Sequence, residues 1–121
     1  MAYDPNNVFA KILRGEIPCK KVHEDAHVLA FHDINPQTPV HVLVIPKGAY
    51  VSSDDFGANA SDAEIAALLR AVAKIARELG VADTGYRMLA NHGHDANQEV
   101  PHFHIHIFGG RRLGAMVPKA G

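Results

Sequence analysis

The chain has 121 residues and 13.1 kDa, room for one domain, and its 47% apolar content is that of an ordinary globular core. Lys and Arg total 12 against 13 Asp and Glu, a formal charge of −1 that nine histidines, each about a quarter protonated at pH 7, bring close to neutral. That balance argues against a sequence-independent grip on nucleic acid, and the single cysteine excludes an intrachain disulfide or a multi-cysteine metal cluster. No run approaches the ~18 apolar residues of a membrane span, and residues 1–7 are polar with no basic flank. No membrane partner and a reducing, cytoplasmic location are expected, the latter fitting the lone Cys19.

Asp4-Pro5 and Asn6-Asn7 offer caps for a first short helix carrying Val8, Phe9, Ile12 and Leu13 on one face, stopped at Gly15. Residues 20–24 read as a strand, Glu24-Asp25 as a turn and 28–32 as a second strand. The segment Asn35-Pro36-Gln37-Thr38-Pro39 is irregular, because each proline removes a donor and restricts its predecessor. Residues 41–45, dense in β-branched side chains and ending at Pro46, read as a central strand. Residues 47–60 are expected to be loop, with Ser52-Ser53-Asp54-Asp55 able to cap a short turn. Ser61-x-x-Glu64 is a capping box, and the apolar period from Ile65 to Leu79 predicts a long helix closed by Gly80 at C′. A fourth strand over 86–90, a polar loop over 91–100 and a fifth strand over 102–108, ended by Gly109-Gly110, complete the reading. The tail from Arg111 has no period. One long and one short helix on a mostly antiparallel five-stranded sheet make an α+β fold, a single domain over 1–121.

The chemistry concentrates in the fifth strand. His102, His104 and His106 alternate with Phe103, Ile105 and Ile107, so on a strand the imidazoles share one face about 6.7 Å apart while the apolar residues face the core. Three imidazoles in register need partners for their nitrogens, which makes a merely solvated face a poor explanation. Two readings remain. In one, a His-x-His pair and a third histidine (His41, His92 or His94) bind a metal, although no carboxylate or thiolate stands at a second ligand-like spacing. In the other, a neutral imidazole attacks phosphorus beside an anion pocket. Spacing alone leaves them level.

The segment from His102 to Phe108 carries the His-φ-His-φ-His-φ-φ pattern and resembles the histidine triad superfamily, in particular its purine nucleoside phosphoramidases. Val8 to Pro18 resembles that branch's opening helix and Glu-Ile-Pro turn. Ala30-Phe31-His32-Asp33-Ile34-Asn35-Pro36-Gln37-Thr38-Pro39-Val40-His41 resembles its Phe-x-Asp-Ile-x-Pro-x-x-Pro-x-His block, and Gly85-Tyr86-Arg87, Asn91 and Gly109-Gly110-Arg111 stand at matching positions. The likeness spans 8–111, leaving 112–121 as a tail. It favours the nucleophile over the metal, and with no Cys-x-x-Cys a structural zinc is not expected; no cofactor is implied.

The resemblance implies roles. His104 would be the nucleophile, His102 and His41 would orient it, and His106 would contact phosphate or leaving group. Asp33 and the backbone at Ile34 would take the ribose hydroxyls, and Val8, Phe9, Ile12 and Phe31 would enclose the base. Asn91 and the backbone of Asn97, Gln98 and Glu99 would line the phosphate. The activity implied is hydrolysis of AMP– or GMP–amine conjugates by a two-fold homodimer. Alternatives are a dinucleoside polyphosphate hydrolase on the same fold and a non-enzymatic nucleotide-binding scaffold. Glu99 replaces the serine of animal members, Pro101 replaces an aromatic residue, and the tail lacks their C-terminal tryptophan, so leaving-group preference is where this chain departs most.

Overall fold

Ser61 starts the longest helix, α3 (Asp62–Glu78), with the expected capping box: its hydroxyl accepts the Glu64 N–H while the Glu64 carboxylate accepts the Ser61 N–H. Gly80, left-handed at φ +77°, closes it at C′. The computed structural model describes residues 2–118. Besides α3 it contains α1 (Val8–Leu13), α2 (Ser53–Asn59) and α4 (Val81–Thr84). The strands are β1 (Lys21–Glu24), β2 (Val28–His32), β3 (Val40–Pro46), β4 (Tyr86–Leu89) and β5 (Ile105–Gly109). They form one antiparallel sheet in the order β1-β2-β3-β5-β4, which leaves β1 and β4 as edges.

Alternation divides the apolar residues between two faces. Val28, Ala30, Val42, Val44, Ile105 and Ile107 pack against Leu68, Ala71, Val72 and Ile75 of α3. Leu29, Phe31, Leu43 and Ile45 point the other way and are covered by Phe9, Ile12 and Leu13 of α1. Covered on both sides, β2 and β3 are buried almost throughout, which explains their near-continuous apolar runs. Among the described residues no helix is long and apolar enough to cross a membrane.

Three local readings are corrected. Residues 53–59 are helical rather than loop: Ser52 accepts the Asp55 N–H, the Asp55 carboxylate accepts the Val51 N–H, and Phe56 packs on Phe103 at 5.0 Å. After Gly80 the chain makes one further helical turn, α4, whose Val81 is buried over Gly109; a Cβ there would lie 2.8 Å from Val81 Cγ1. The last strand begins at Ile105 and not at residue 102. The register that pairs Val44 with Ile105 would next oppose His104 and Phe103 to Ile45 and Pro46. Pro46 has no N–H to continue the ladder, and Phe103 N–H turns instead to the Tyr50 carbonyl at 2.8 Å. The tail expected over 112–121 is described only as far as residue 118 and forms no regular element there.

Candidate active site

Register places the histidines together. His41 on β3 lies opposite Phe108 on β5, and Leu43 lies opposite His106, so both imidazoles project from the face that α1 covers. The His104 and His106 rings meet edge to face at 5.0 Å, and Phe9 sets its edge against His104 at 4.9 Å and His102 at 6.3 Å. His102 is 0% exposed, His41 2% and His104 7%. A solvated histidine face is therefore ruled out, and the burial of Phe103, Ile105 and Ile107 in the α3 core agrees with the alternation.

Hydrogen-bond partners assign the ring protons. The Pro46 carbonyl can only accept, so His102 Nε2 carries a proton and donates to it at 2.9 Å. His104 Nδ1 donates to the backbone carbonyl of His102 at 2.7 Å, which leaves the lone pair on His104 Nε2. His41 Nδ1 accepts the Gln37 N–H at 3.1 Å, so its proton sits on Nε2 and is donated to His106 Nδ1 at 3.0 Å. His106 is thereby left with its proton on Nε2. Among the described residues no buried side-chain nitrogen or oxygen lacks a partner, so the unpaired Nε2 atoms of His104 and His106 are open to solvent. Burial holds all four rings neutral. It pushes His41, His102 and His104 below the usual imidazole range, and it takes His106 down to about 4, helped by the neighbouring His104 and His41. For His104 the charges of Asp33 and Glu99 oppose that shift.

His102 thus reaches His104 through its carbonyl rather than its ring, and His41 pairs with His106, a division of labour that spacing did not reveal. Asp33 also comes closer than expected. One carboxylate oxygen accepts the Asn35 N–H at 2.8 Å and the other lies 3.5 Å from His41 Nε2. Ligand atoms of Asp33, His41 and His106 all fall within 4.8 Å of one another, the carboxylate that sequence spacing did not supply. A cation there would need a lone pair on His41 Nε2, but that atom carries a proton while Gln37 occupies Nδ1. The hydrogen-bond pattern does not fit a metal.

A cavity of about 780 Å³ opens beside His41, within the roughly 300–1,000 Å³ of small-molecule sites. Asp33, Ile34 and His41 line it, together with Pro18, Cys19 and Pro36, to which no role was given from sequence; Pro18 belonged to the Glu-Ile-Pro turn and was the available signal. Ile34 is 90% exposed and stands at the mouth. Phe9 and Phe31 lie behind this surface, buried edge to face at 5.7 Å, while Ile12 is half-buried and Val8 exposed. Asn91 and His106 line an adjoining cavity of about 350 Å³.

The loop over 91–100 is tied down. The Gln98 side chain accepts the Gly93 N–H and donates to the Val51 and Val100 carbonyls. Asn97 N–H is donated to His94 and Gln98 N–H to Gly93, so of the three backbone amides only that of Glu99 makes no hydrogen bond among the described residues. Among the described residues the loop therefore leaves one of the three N–H groups unpaired. His92 and His94, considered as metal ligands from sequence, are exposed on this loop, with His94 paired to Asp95.

Residues 14–113 match the family model of the HIT domain. The chain belongs to the HIT domain family. Within that family it is 71% identical to an uncharacterised 13.2 kDa HIT-like protein of Azospirillum brasilense, over 97% of this chain and 96% of that one. It is 41% identical to the purine nucleoside phosphoramidase of Escherichia coli K12, over 94% and 95% of the two chains. The HIT fold also superposes on a histidine triad protein from Clostridium difficile with a TM-score of 0.84 at 41% identity, covering 96% of this chain and 100% of that one.

Proposed function

We propose that this HIT protein hydrolyses purine nucleoside phosphoramidates through a nucleotidyl-histidine intermediate on His104. One observation carries the reading: two neutral imidazoles 5.0 Å apart present opposite chemistry, a lone pair on His104 Nε2 and an N–H on His106 Nε2. That is the pair an in-line displacement at phosphorus needs, a nucleophile and a hydrogen-bond donor in a site that needs no metal. The Escherichia coli relative named as a purine nucleoside phosphoramidase supports the same bond class.

His104 Nε2 attacks phosphorus as the P–N bond breaks. The leaving nitrogen, hydrogen-bonded by His106 Nε2–H, takes a proton from solvent water and departs as an amine; the water that later cleaves the intermediate returns one. The imidazolium so formed keeps its Nδ1–H on the His102 carbonyl, which stabilises the new charge. Water then cleaves the P–Nε2 bond and releases AMP or GMP. Asp33 and the Ile34 backbone receive the ribose hydroxyls, Val8, Phe9, Ile12 and Phe31 back the base, and Asn91 with the Glu99 N–H meets the phosphate. Asn97 and Gln98 hold the loop that presents that amide. The same reading makes the protein a cytoplasmic homodimer; the bare edge of β4, with Tyr86 and Met88 exposed beside it, is a surface suited to a second copy, which sedimentation velocity reads directly.

The test is turnover of a panel containing adenosine and guanosine phosphoramidates and a diadenosine polyphosphate. Release of the amine with AMP or GMP is the expected result. Cleavage of the polyphosphate alone would move the reading to the other bond class, and binding without turnover would make the protein a scaffold.

Glu99 is proposed to set the leaving group. Its carboxylate is exposed and close enough to act on His104. It repels anionic leaving groups and tolerates protonated amines. Glu99→Ser is expected to shift activity toward acidic or neutral phosphoramidates over lysyl ones by roughly fivefold, since a solvated charge pair is worth about 1 kcal/mol or less. A changed adenine-to-guanine preference with an unchanged leaving-group ratio would remove Glu99 from that position.

A further inference from the structure

Tyr3 stands before the segment that the HIT family model covers, yet it reaches the triad across 99 residues of sequence. Its hydroxyl lies 2.6 Å from Nδ1 of the fully buried His102. Because His102 Nε2 already donates to Pro46, Nδ1 holds the lone pair and the tyrosine hydroxyl donates to it. The two rings also meet edge to face at 5.5 Å. The lead-in that carries Tyr3 is anchored in turn. The Asp4 carbonyl accepts the Asn7 side-chain amide at 2.8 Å, and Asn7 Oδ1 caps α1 by accepting the Ala10 N–H at 2.9 Å. From α1, Phe9 then packs on His102 and His104.

We propose that Tyr3 is a positioning residue for the reaction: its hydroxyl fixes the His102 ring, and so the His102 carbonyl that holds the His104 Nδ1–H. This rests on the reading of His104 as nucleophile. Without the hydroxyl, a buried imidazole nitrogen loses its partner, and the ring, held only through Nε2 to the Pro46 carbonyl, is free to tilt. The backbone carbonyl of the same residue, three bonds from the ring, moves with it, and the lone pair on His104 Nε2 is no longer held on line.

Tyr3→Phe keeps the aromatic edge and removes only the donor. It is expected to lower kcat roughly tenfold, the size of one lost buried hydrogen bond, while AMP affinity stays within about twofold. Imidazole nitrogen NMR should give the Nδ1–H form for His104 in the unsubstituted protein and a mixture of tautomers in Tyr3→Phe. A lower melting temperature with His104 tautomer and kcat unmoved would reduce Tyr3 to packing and overturn the proposal. So would an Nδ1–H signal for His102 in the unsubstituted protein, a measurement that does not depend on the variant folding. If no nucleotide conjugate is turned over but the His104 signal still responds to Tyr3→Phe, the enzymatic reading fails and the positioning stands.

Discussion

His104→Ala is expected to lower turnover by about 10⁴-fold and to leave AMP affinity within about threefold. The asymmetry follows from where the contacts lie. The lone pair of His104 Nε2 has no substitute, because His106, at 5.0 Å, turns a proton toward the same space and His41 has committed both nitrogens. Binding instead draws on Asp33, Ile34 and the cavity of about 780 Å³ beside them. Acid-quenched single turnovers should trap a nucleotidyl-protein in the unsubstituted chain and none in the variant. His106→Ala should cost less, roughly 10²-fold, the usual worth of one hydrogen-bond donor aimed at developing charge. Retention of a tenth of the activity by His104→Ala would end the covalent mechanism.

The second large effect is acid lability. His41, His102, His104 and His106 are all held neutral by burial, with pKa values below that of an unfolded histidine near ~6.5. In acid the unfolded chain therefore binds more protons than the folded one, and stability rises with pH through that window. The stabilisation is complete above about pH 6.5 and is lost on acidification, for His106 down to about 4. For His106, discounted for its partial exposure, unfolding free energy should fall by about 1 kcal/mol between pH 7 and 5, and His41, His102 and His104 add to the fall in the same direction. Against a typical total of about 5–15 kcal/mol, a loss shared by four rings in one site is a sizeable fraction. Urea unfolding at the two pH values measures it. His106→Asn should flatten the dependence by about one proton, and a flat profile in the unsubstituted protein would show the rings to be less buried than the geometry implies.

Much of the fold was legible because its signals are local. The Ser61–Glu64 box, the apolar period of α3 and the C′ glycine act within a few residues of one another. The prolines around Gln37 forbid regular structure wherever they fall. What escaped depended on partners distant in sequence. α2 exists because Phe56 finds Phe103, and α4 because Val81 finds a glycine on β5. β5 starts late because Pro46, on another strand, cannot donate to it. The site divides in the same way. Alternation placed three histidines together, but which nitrogen of each carries the proton is decided by Gln37, Pro46 and the His102 carbonyl. All three are backbone groups whose direction no residue type announces. Tyr3 went unremarked because nothing in its neighbourhood pointed to residue 102.

The position of β5 has a consequence for biosynthesis. It is the last strand made, yet it inserts between β3 and β4. Until it emerges, the nascent chain presents the long apolar rim of β3 with its carbonyls and amides unmatched, a template for pairing with other polypeptides. The strand that carries His106 therefore also seals the sheet. Products of premature termination before residue 105 should be insoluble rather than folded and inert, so the cell is spared a pool of nucleotide binders that lack the chemistry.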